Sequence, residues 1–332
     1  FFCYLVLGTK MAAPPMSPLP FAHAPLKHHG YSVKFSPFPH PNGFRLAVAA
    51  SQHFGIVGNG CLYILQLLPN GQLTQVAMFD TLNSLFDVSW SEQHERHVIA
   101  SCGDGSVKLF DVEAQTGRPL RVFHEHQQEV YTIQWNQKVG DTFLSASWDQ
   151  TIKLWSPDSL QSLGTWAGHE YCIHSVCWDP SSPSRFLSAS GDGTLRVWDR
   201  GMPTPASTII AHQNEVLCCD WNKYDEFIIA SGSVDRSIKI WDIRKGAAPM
   251  DTLHGHNFGV RRICFSPHNE SIIASCSYDM TVCLWDIVKP DIPLIARADK
   301  HSEFVVGLDF NMFEENMLAS CGWDESVFVW KM

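Results

Sequence analysis

Histidine, serine and aspartate in a fixed order are the parts of a hydrolytic proton relay, and this chain carries them repeatedly. The pairs His126/Asp149, His169/Asp192, His212/Asp235, His256/Asp279 and His301/Asp324 each span 23 residues, and a tryptophan follows each aspartate by 6, at Trp155, Trp198, Trp241, Trp285 and Trp330. Serines stand 2 residues before the aspartate at Ser147, Ser190, Ser233 and Ser277. A catalytic triad is needed once, beside one reacting carbonyl. A set repeated at unvarying spacing is a structural part. A histidine in the loop entering a unit, a serine on its second strand, an aspartate in a turn and the third-strand indole N–H make one buried hydrogen-bonded chain. Losing one member leaves buried polar groups unpaired, at about 1–3 kcal/mol each.

The elements that must position these residues follow from the same spacing. Successive histidines stand 43, 43, 44 and 45 positions apart, the period of a unit of four short strands. In each unit an alternating strand ends in an aromatic; a second apolar strand, a tight turn with the aspartate, a third strand ending in Trp and a variable fourth strand follow. The first-strand aromatics Trp90, Trp135, Trp178, Trp221, Phe265 and Phe310 all precede the turn aspartate by 14. Units beginning near residues 31, 84, 129, 171, 215, 259 and 303 predict an all-β, seven-bladed β-propeller.

The seventh unit stops at its third strand, so the segment from about Phe21 to His29 is expected to supply the missing outer strand and shut the ring. Pro25 is tolerable on such an edge. Residues 21–332 therefore read as one propeller domain. Residues 1–20, with Pro14, Pro15, Pro18 and Pro20, read as a flexible tail, and Met11 as a more natural initiator than Phe1. Asp104-Gly105 and Asp192-Gly193 suit turns that need positive φ, and Asn59-Gly60 looks like their counterpart in the first unit. That unit is irregular, because Phe35 precedes Asn59 by 24, which predicts a longer first hairpin through Pro37, Pro39 and Pro41. Other departures are Phe110 for Trp in the second unit, Gly322 for Ser in the last, and no histidine at position 81.

Composition narrows the chemistry. With 45% hydrophobic and 17% charged residues, the chain has ample material for a core. Its 11 cysteines form no CxxC, which argues for free thiols in a reducing compartment and against a zinc site. A formal charge of −10 repels nucleic acid and anionic membrane and favours a basic partner. No stretch approaches the roughly 20 apolar residues of a membrane span, so no membrane insertion is expected. No nucleophile, metal cluster or phosphate loop stands outside the repeat; neither an enzyme nor a cofactor is expected.

Function then belongs to one face of the ring, where loops entering the first strands meet turns between second and third strands. Three residues after each loop histidine come Glu129, Cys172, Glu215, Gly259 and Phe304; directly before each turn aspartate come Gly103, Trp148, Gly191, Val234, Tyr278 and Trp323. Carboxylates mixed with large aromatics suit an amphipathic helix bearing a cationic side chain.

The Trp-Asp pairs at 198/199, 241/242 and 285/286 and the Gly-His pairs at 168/169 and 255/256 are similar to those of the WD-repeat family of β-propellers. Further strings resemble one group within it, the receptors for the type 2 peroxisomal targeting signal. They are Gly30-Tyr31, Phe35-Ser36-Pro37, Gln52-His53-Phe54-Gly55-Ile56, Leu85-Phe86-Asp87-Val88, Glu125 to Tyr131, Ser147 to Thr151 and Cys219 to Tyr224. The resemblance spans about residues 28–331 and includes the irregular first blade. It implies a cytosolic receptor that binds N-terminal targeting peptides of peroxisomal matrix proteins and shuttles them to the peroxisomal docking machinery. It also implies a co-receptor that resembles the long form of the receptor for C-terminal signals. The implied ligand has a basic residue and two aliphatic residues seven apart, which share a helical face. Glu129, Glu215 or Asp87 would take its cation, and Trp148, Tyr278, Phe304 and Trp323 its apolar face. A WD-repeat adaptor of chromatin or of a ubiquitin ligase, using the same face for another basic peptide, is the alternative.

Overall fold

A computed structural model describes residues 15–114, 117–246, 248–289 and 293–332 and places them in seven four-stranded antiparallel sheets around a central channel. The innermost strands are His29–Phe35, Leu85–Trp90, Val130–Trp135, Ile173–Trp178, Val216–Trp221, Val260–Phe265 and Val305–Phe310, each starting within 2 residues of the position expected from the repeat. Each neighbours the innermost strand of the next sheet, and His29–Phe35 closes the circle against Val305–Phe310.

Six sheets run in chain order from the channel outward; the seventh is shut by Pro20–Pro25 lying antiparallel to Ser326–Lys331. Ala22 faces Val329 and Ala24 faces Val327, so small side chains bury against the last strand. The two prolines sit at the ends of an edge strand, where a missing N–H costs no ladder bond. This strand stops at Pro25 rather than His29. Leu26 N donates to Glu325 O at 2.6 Å, and His29 already opens the first blade.

The expected flexible tail is only partly within view, since residues 1–14 lie outside the described residues. Met16, however, is tied down: its N–H donates to Ile295 O at 3.0 Å, and its carbonyl accepts from Arg297 N at 2.8 Å.

The first blade's extra length lies elsewhere than predicted. Asn59-Gly60 is no positive-φ turn; Gly60 begins the third strand, and the loop 52–59 holds a short 3-10 turn with His53, Phe54, Gly55 and Gly58 at positive φ. Gln52 N closes the loop on Asn59 O at 2.9 Å. The proline-bearing hairpin 36–43 at the other end absorbs the smaller share.

Core side chains fill the gaps between blades. Trp155, Trp198, Trp241, Trp285 and Trp330 are fully buried, and truncating a residue of that size costs about 3–5 kcal/mol. Along the channel, carboxylates stitch one sheet to the next. Asp220 accepts from Phe265 N at 2.7 Å and Asp309 from Phe35 N at 2.9 Å, while Lys223 and Lys34 balance their charges at 2.8 Å. No helix among the described residues is long and apolar enough to cross a membrane.

Candidate functional site

The five repeated sets form five separate chains. In the third blade Trp155 Nε1–H donates to Ser145 Oγ at 2.8 Å, Ser145 Oγ lies 2.7 Å from His126 Nε2, and His126 Nδ1 lies 2.8 Å from Asp149 Oδ2. The other four repeat this through Ser188, Ser231, Ser275 and Ser320, with every link between 2.7 and 2.9 Å. A neutral imidazole fits this geometry: it accepts the serine O–H at Nε2 and donates Nδ1–H to the carboxylate.

The serine in the chain is thus the one 4 residues before the aspartate, not the one 2 before it. Ser147 instead receives the Asp149 N–H at 3.0 Å and donates to Gln128 O, and so braces the turn. Gly322 therefore leaves the chain of the last blade intact, because Ser320 is in place. The His126 side chain and Ser145 are both fully buried, so no substrate reaches them. Among the described residues no group of His, Cys, Asp and Glu could hold a metal ion.

Asp324 corrects the expectation that the five sets are equivalent. Its Oδ2 lies 2.8 Å from His301 Nδ1 and accepts from Ser302 N at 3.2 Å, the pair of contacts that Asp149, Asp192 and Asp279 also make. Its Oδ1, however, is buried with no hydrogen-bond partner among the described residues. In the other four blades that oxygen accepts from the hydroxyl two residues on, at Thr151, Thr194, Ser237 and Thr281, at 2.6 Å each. The counterpart in the last blade is Ser326, whose hydroxyl instead lies 3.3 Å from the Asp324 carbonyl and 3.2 Å from His23 Nε2 on the closing strand. Gly322 supplies no hydroxyl for the Asp324 N–H either. Asp324 thus anchors His301 but is the least satisfied member of the framework, because the seam claims the serine that would complete it.

What the framework positions is a rim. The N–H of the residue before each turn aspartate donates to the carbonyl of the residue in the entering loop: Trp148 to Glu129, Gly191 to Cys172, Val234 to Glu215, Tyr278 to Gly259 and Trp323 to Phe304, at 2.9–3.1 Å. The two sets named from sequence are therefore side-by-side pairs around one mouth. Tyr278 and Phe304 have ring centroids 5.0 Å apart, and Phe304 and Trp323 5.2 Å.

A second ring lies inside the first, and sequence reasoning missed it. Every innermost strand slips register near its start, for example between Val130 and Thr132, so that one residue per blade has no cross-strand partner. A β-bulge of this kind re-aims a side chain. The residues are Tyr31, Phe86, Tyr131, His174, Leu217, Arg261 and Val306. Tyr31 touches Trp323 (5.9 Å) and Phe86 (5.3 Å); Phe86 touches Tyr131 (5.3 Å), and Tyr131 touches Trp148 (5.3 Å). An aromatic belt thus runs from Tyr278 through Phe304, Trp323, Tyr31, Phe86 and Tyr131 to Trp148. The loop 52–59 joins it: Phe54 packs 5.2 Å from Trp323 and stacks 4.1 Å from His29, and its carbonyl accepts from Tyr31 Oη at 2.6 Å. Phe54, Ile56 and Val57 remain exposed.

Charge on the rim is uneven. Glu129 has no ion-pair partner among the described residues, and Glu215 accepts from His174 Nε2 at 3.1 Å. Burial, then the negative charges of Glu215 and Glu129, push the Cys172 thiol up, which places both carboxylates around that one residue. Burial and the Arg261 charge bring His174 down to about 4, so its imidazole is neutral at physiological pH.

Asp87 does not belong with them. It is 2% exposed, and its carboxylate is used by Arg262 Nη2 at 2.9 Å and Ile133 N at 3.1 Å. The bulge turns Phe86 to the mouth and Asp87 into the channel wall, where it stitches two sheets and is closed to a ligand's cation.

Comparison with known proteins supplies the family. The WD domain, G-beta repeat model matches residues 75–111, 117–156, 160–199, 203–242, 247–286 and 294–331. Over 286 residues, 86% of this chain and 89% of the relative, the chain is 57% identical to the peroxisomal targeting signal 2 receptor of Dictyostelium discoideum. The chain belongs to the WD-repeat family of peroxisomal targeting signal 2 receptors. Other members match shorter stretches. Peroxisome biogenesis protein 7 of Arabidopsis thaliana is 47% identical over 142 residues (42% of this chain, 43% of the relative). The Mus musculus peroxisomal targeting signal 2 receptor is 49% identical over 144 residues (43% of each chain). Each WD match ends at a third strand, so the windows straddle blades, and the innermost strands of the irregular first blade precede them all.

Proposed function

We propose that this chain is a cytosolic shuttle receptor. It holds the N-terminal type 2 targeting segment of peroxisomal matrix proteins on the rim and delivers them to the peroxisomal docking machinery, together with a co-receptor that resembles the long form of the C-terminal-signal receptor. One observation carries this reading: a rim on which unpaired Glu129 and half-exposed Glu215 adjoin a belt of seven aromatics, in a chain so close to a named receptor. A short amphipathic helix has a matching surface. Its basic residue meets Glu129 or Glu215, and its aliphatic stripe covers Trp148, Tyr278, Phe304 and Trp323. A charge-assisted contact of this kind contributes about 1.5–3 kcal/mol. The test is fluorescence anisotropy with a labelled helical peptide carrying a basic residue and two aliphatics seven apart. It should bind, and the same peptide with its basic residue changed to Glu should not. Equal binding of the two peptides, or of neither, refutes the proposal.

A further inference from the structure

The rim's most costly feature is Arg261. It is only 2% exposed, and among the described residues its Nη2 has no hydrogen-bond partner and its guanidinium no ion-pair partner. Its guanidinium lies 4.8 Å from the Tyr131 ring centre, a favourable but incomplete compensation for a buried charge. Two other buried polar atoms around the same tyrosine also lack partners: Trp148 Nε1 and His174 Nδ1. Both rings stand within 6 Å of Tyr131, at 5.3 and 5.8 Å.

The roles of the three atoms follow from chemistry. Arg261 and the Trp148 indole can only donate. A carboxylate can only accept, so the neutral His174 gives its Nε2–H to Glu215 and leaves Nδ1 as a bare lone pair. Two donors and one acceptor are therefore gathered around Tyr131. Resting on the reading above, we propose that Arg261, Trp148 and His174 form a subsite for one uncharged amide of the bound segment, its oxygen on Arg261 and Trp148 and its N–H on His174. A carboxylate suits the place less well. It has no hydrogen for His174, and Glu129 and Glu215 repel it. Two sources offer the required chemistry: the side-chain carboxamide of Gln or Asn, or a peptide group just outside a docked helix, where neither its C=O nor its N–H is used within the helix.

The experiment couples peptide and protein. Peptides of the kind used above are varied position by position, Gln→Met or Asn→Leu in one arm and ester for backbone amide in the other. Each is titrated against the full chain and against Arg261→Met. One position is expected to lose roughly ten- to a hundredfold in affinity on the unaltered protein. On Arg261→Met that loss should nearly vanish. The arm in which it falls identifies the source, and at a side-chain position Gln→Glu should weaken binding more than Gln→Met does. If Arg261→Met fails to fold by calorimetry, Arg261→Lys, which keeps the charge but loses the planar fork, serves in its place. Peptides that bind well but show the same losses on both proteins overturn the subsite and leave the receptor reading standing. A protein that binds none of them overturns both.

Discussion

In the third blade the turn aspartate Asp149 meets His126, and Ser145 joins that histidine to Trp155. In the second blade the corresponding residues are Asp104, Thr81, Ala100 and Phe110. There Asp104 is held by Ser106 at 2.5 Å, by Asn83 at 3.1 Å and by Lys108 at 3.2 Å, and Phe110 packs 5.3 Å from Phe79. Histidine, serine and indole have gone together, so no member of the chain is left buried without a partner. The sheet itself is unchanged. A blade can thus be built with the polar chain or without it, but half a chain should be worse than either.

The sharpest way to break that comparison is Ser145→Ala, which strands the Trp155 N–H and His126 Nε2 at once. Urea denaturation should show a loss of about 2–5 kcal/mol, from two unsatisfied groups. Converting the whole set with His126→Thr, Ser145→Ala and Trp155→Phe should cost less than the sum of the single changes, by about 1–3 kcal/mol. Strict additivity would mean that the members act independently.

Acid provides a graded version of the same test. Burial alone would raise Asp149, Asp192 and Asp279, but the His and Thr donors outweigh it and hold them far below the ordinary carboxylate range. Their stabilisation is complete above the unfolded value of about 4 and is lost as pH falls from there toward the folded values. His169 and His212, lowered chiefly by burial, add a loss that begins below about pH 6.5, because only the unfolded chain takes up the proton. Burial raises Glu92 to about 7, and its destabilisation is relieved as pH falls from 7 toward 4.5, so the curve between pH 7 and pH 4.5 is a balance of opposing signs. Below about pH 4 the aspartates dominate, and melting temperature should fall steadily from about pH 4 to about pH 2. A flat curve there would contradict these signs.

Rim and framework should separate just as cleanly. Glu129→Lys is expected to weaken peptide binding roughly tenfold or more while shifting stability by no more than about 0.5 kcal/mol. Asp149→Ala should do the reverse. Equal loss of stability in both would erase the distinction. The smallest expected effect concerns the turns. The residue after the turn aspartate is left-handed as Gly105 and Gly193 but also as Gln150, Arg236, Met280 and Glu325. Gln150→Gly should raise stability by about 0.5–1 kcal/mol. No gain would show that the Asp149 side chain already offsets the backbone strain.

Seven blades, their starts and the strand exchange at the seam were legible in the sequence because the aspartate, tryptophan and first-strand aromatic recur at fixed spacing. Ser145 and Ser147 both stand at a fixed distance from the aspartate, and the signal that separates them is co-occurrence: counterparts of Ser145 accompany His and Trp in all five units and give way to Ala100 where both are missing, whereas the counterpart of Ser147 in the last unit is Gly322. Spacing could not set Asp324 apart from the other turn aspartates, since the competing partner of Ser326 is His23, some 300 residues away in the chain. Nor could it show the bulge, which shifts each innermost strand by one residue. Asp87 was thereby read as a rim residue, while Tyr31, Phe86, His174 and Arg261 went unnoticed. Phe54 was obscured for another reason. With no repeat to align it, the extra length of the first unit carried no sign of which end of the blade it would occupy.

The seam has a kinetic consequence. Because Pro20–Pro25 must pair with Ser326–Lys331, a ribosome-bound chain lacking its last strand has all the other blades but an open circle. Trp323 and Phe54 then lie on opposite lips of the gap. The rim is therefore whole only after Ser326–Lys331 has been made and has paired with Pro20–Pro25, so the aromatic belt is assembled in the step that shuts the ring.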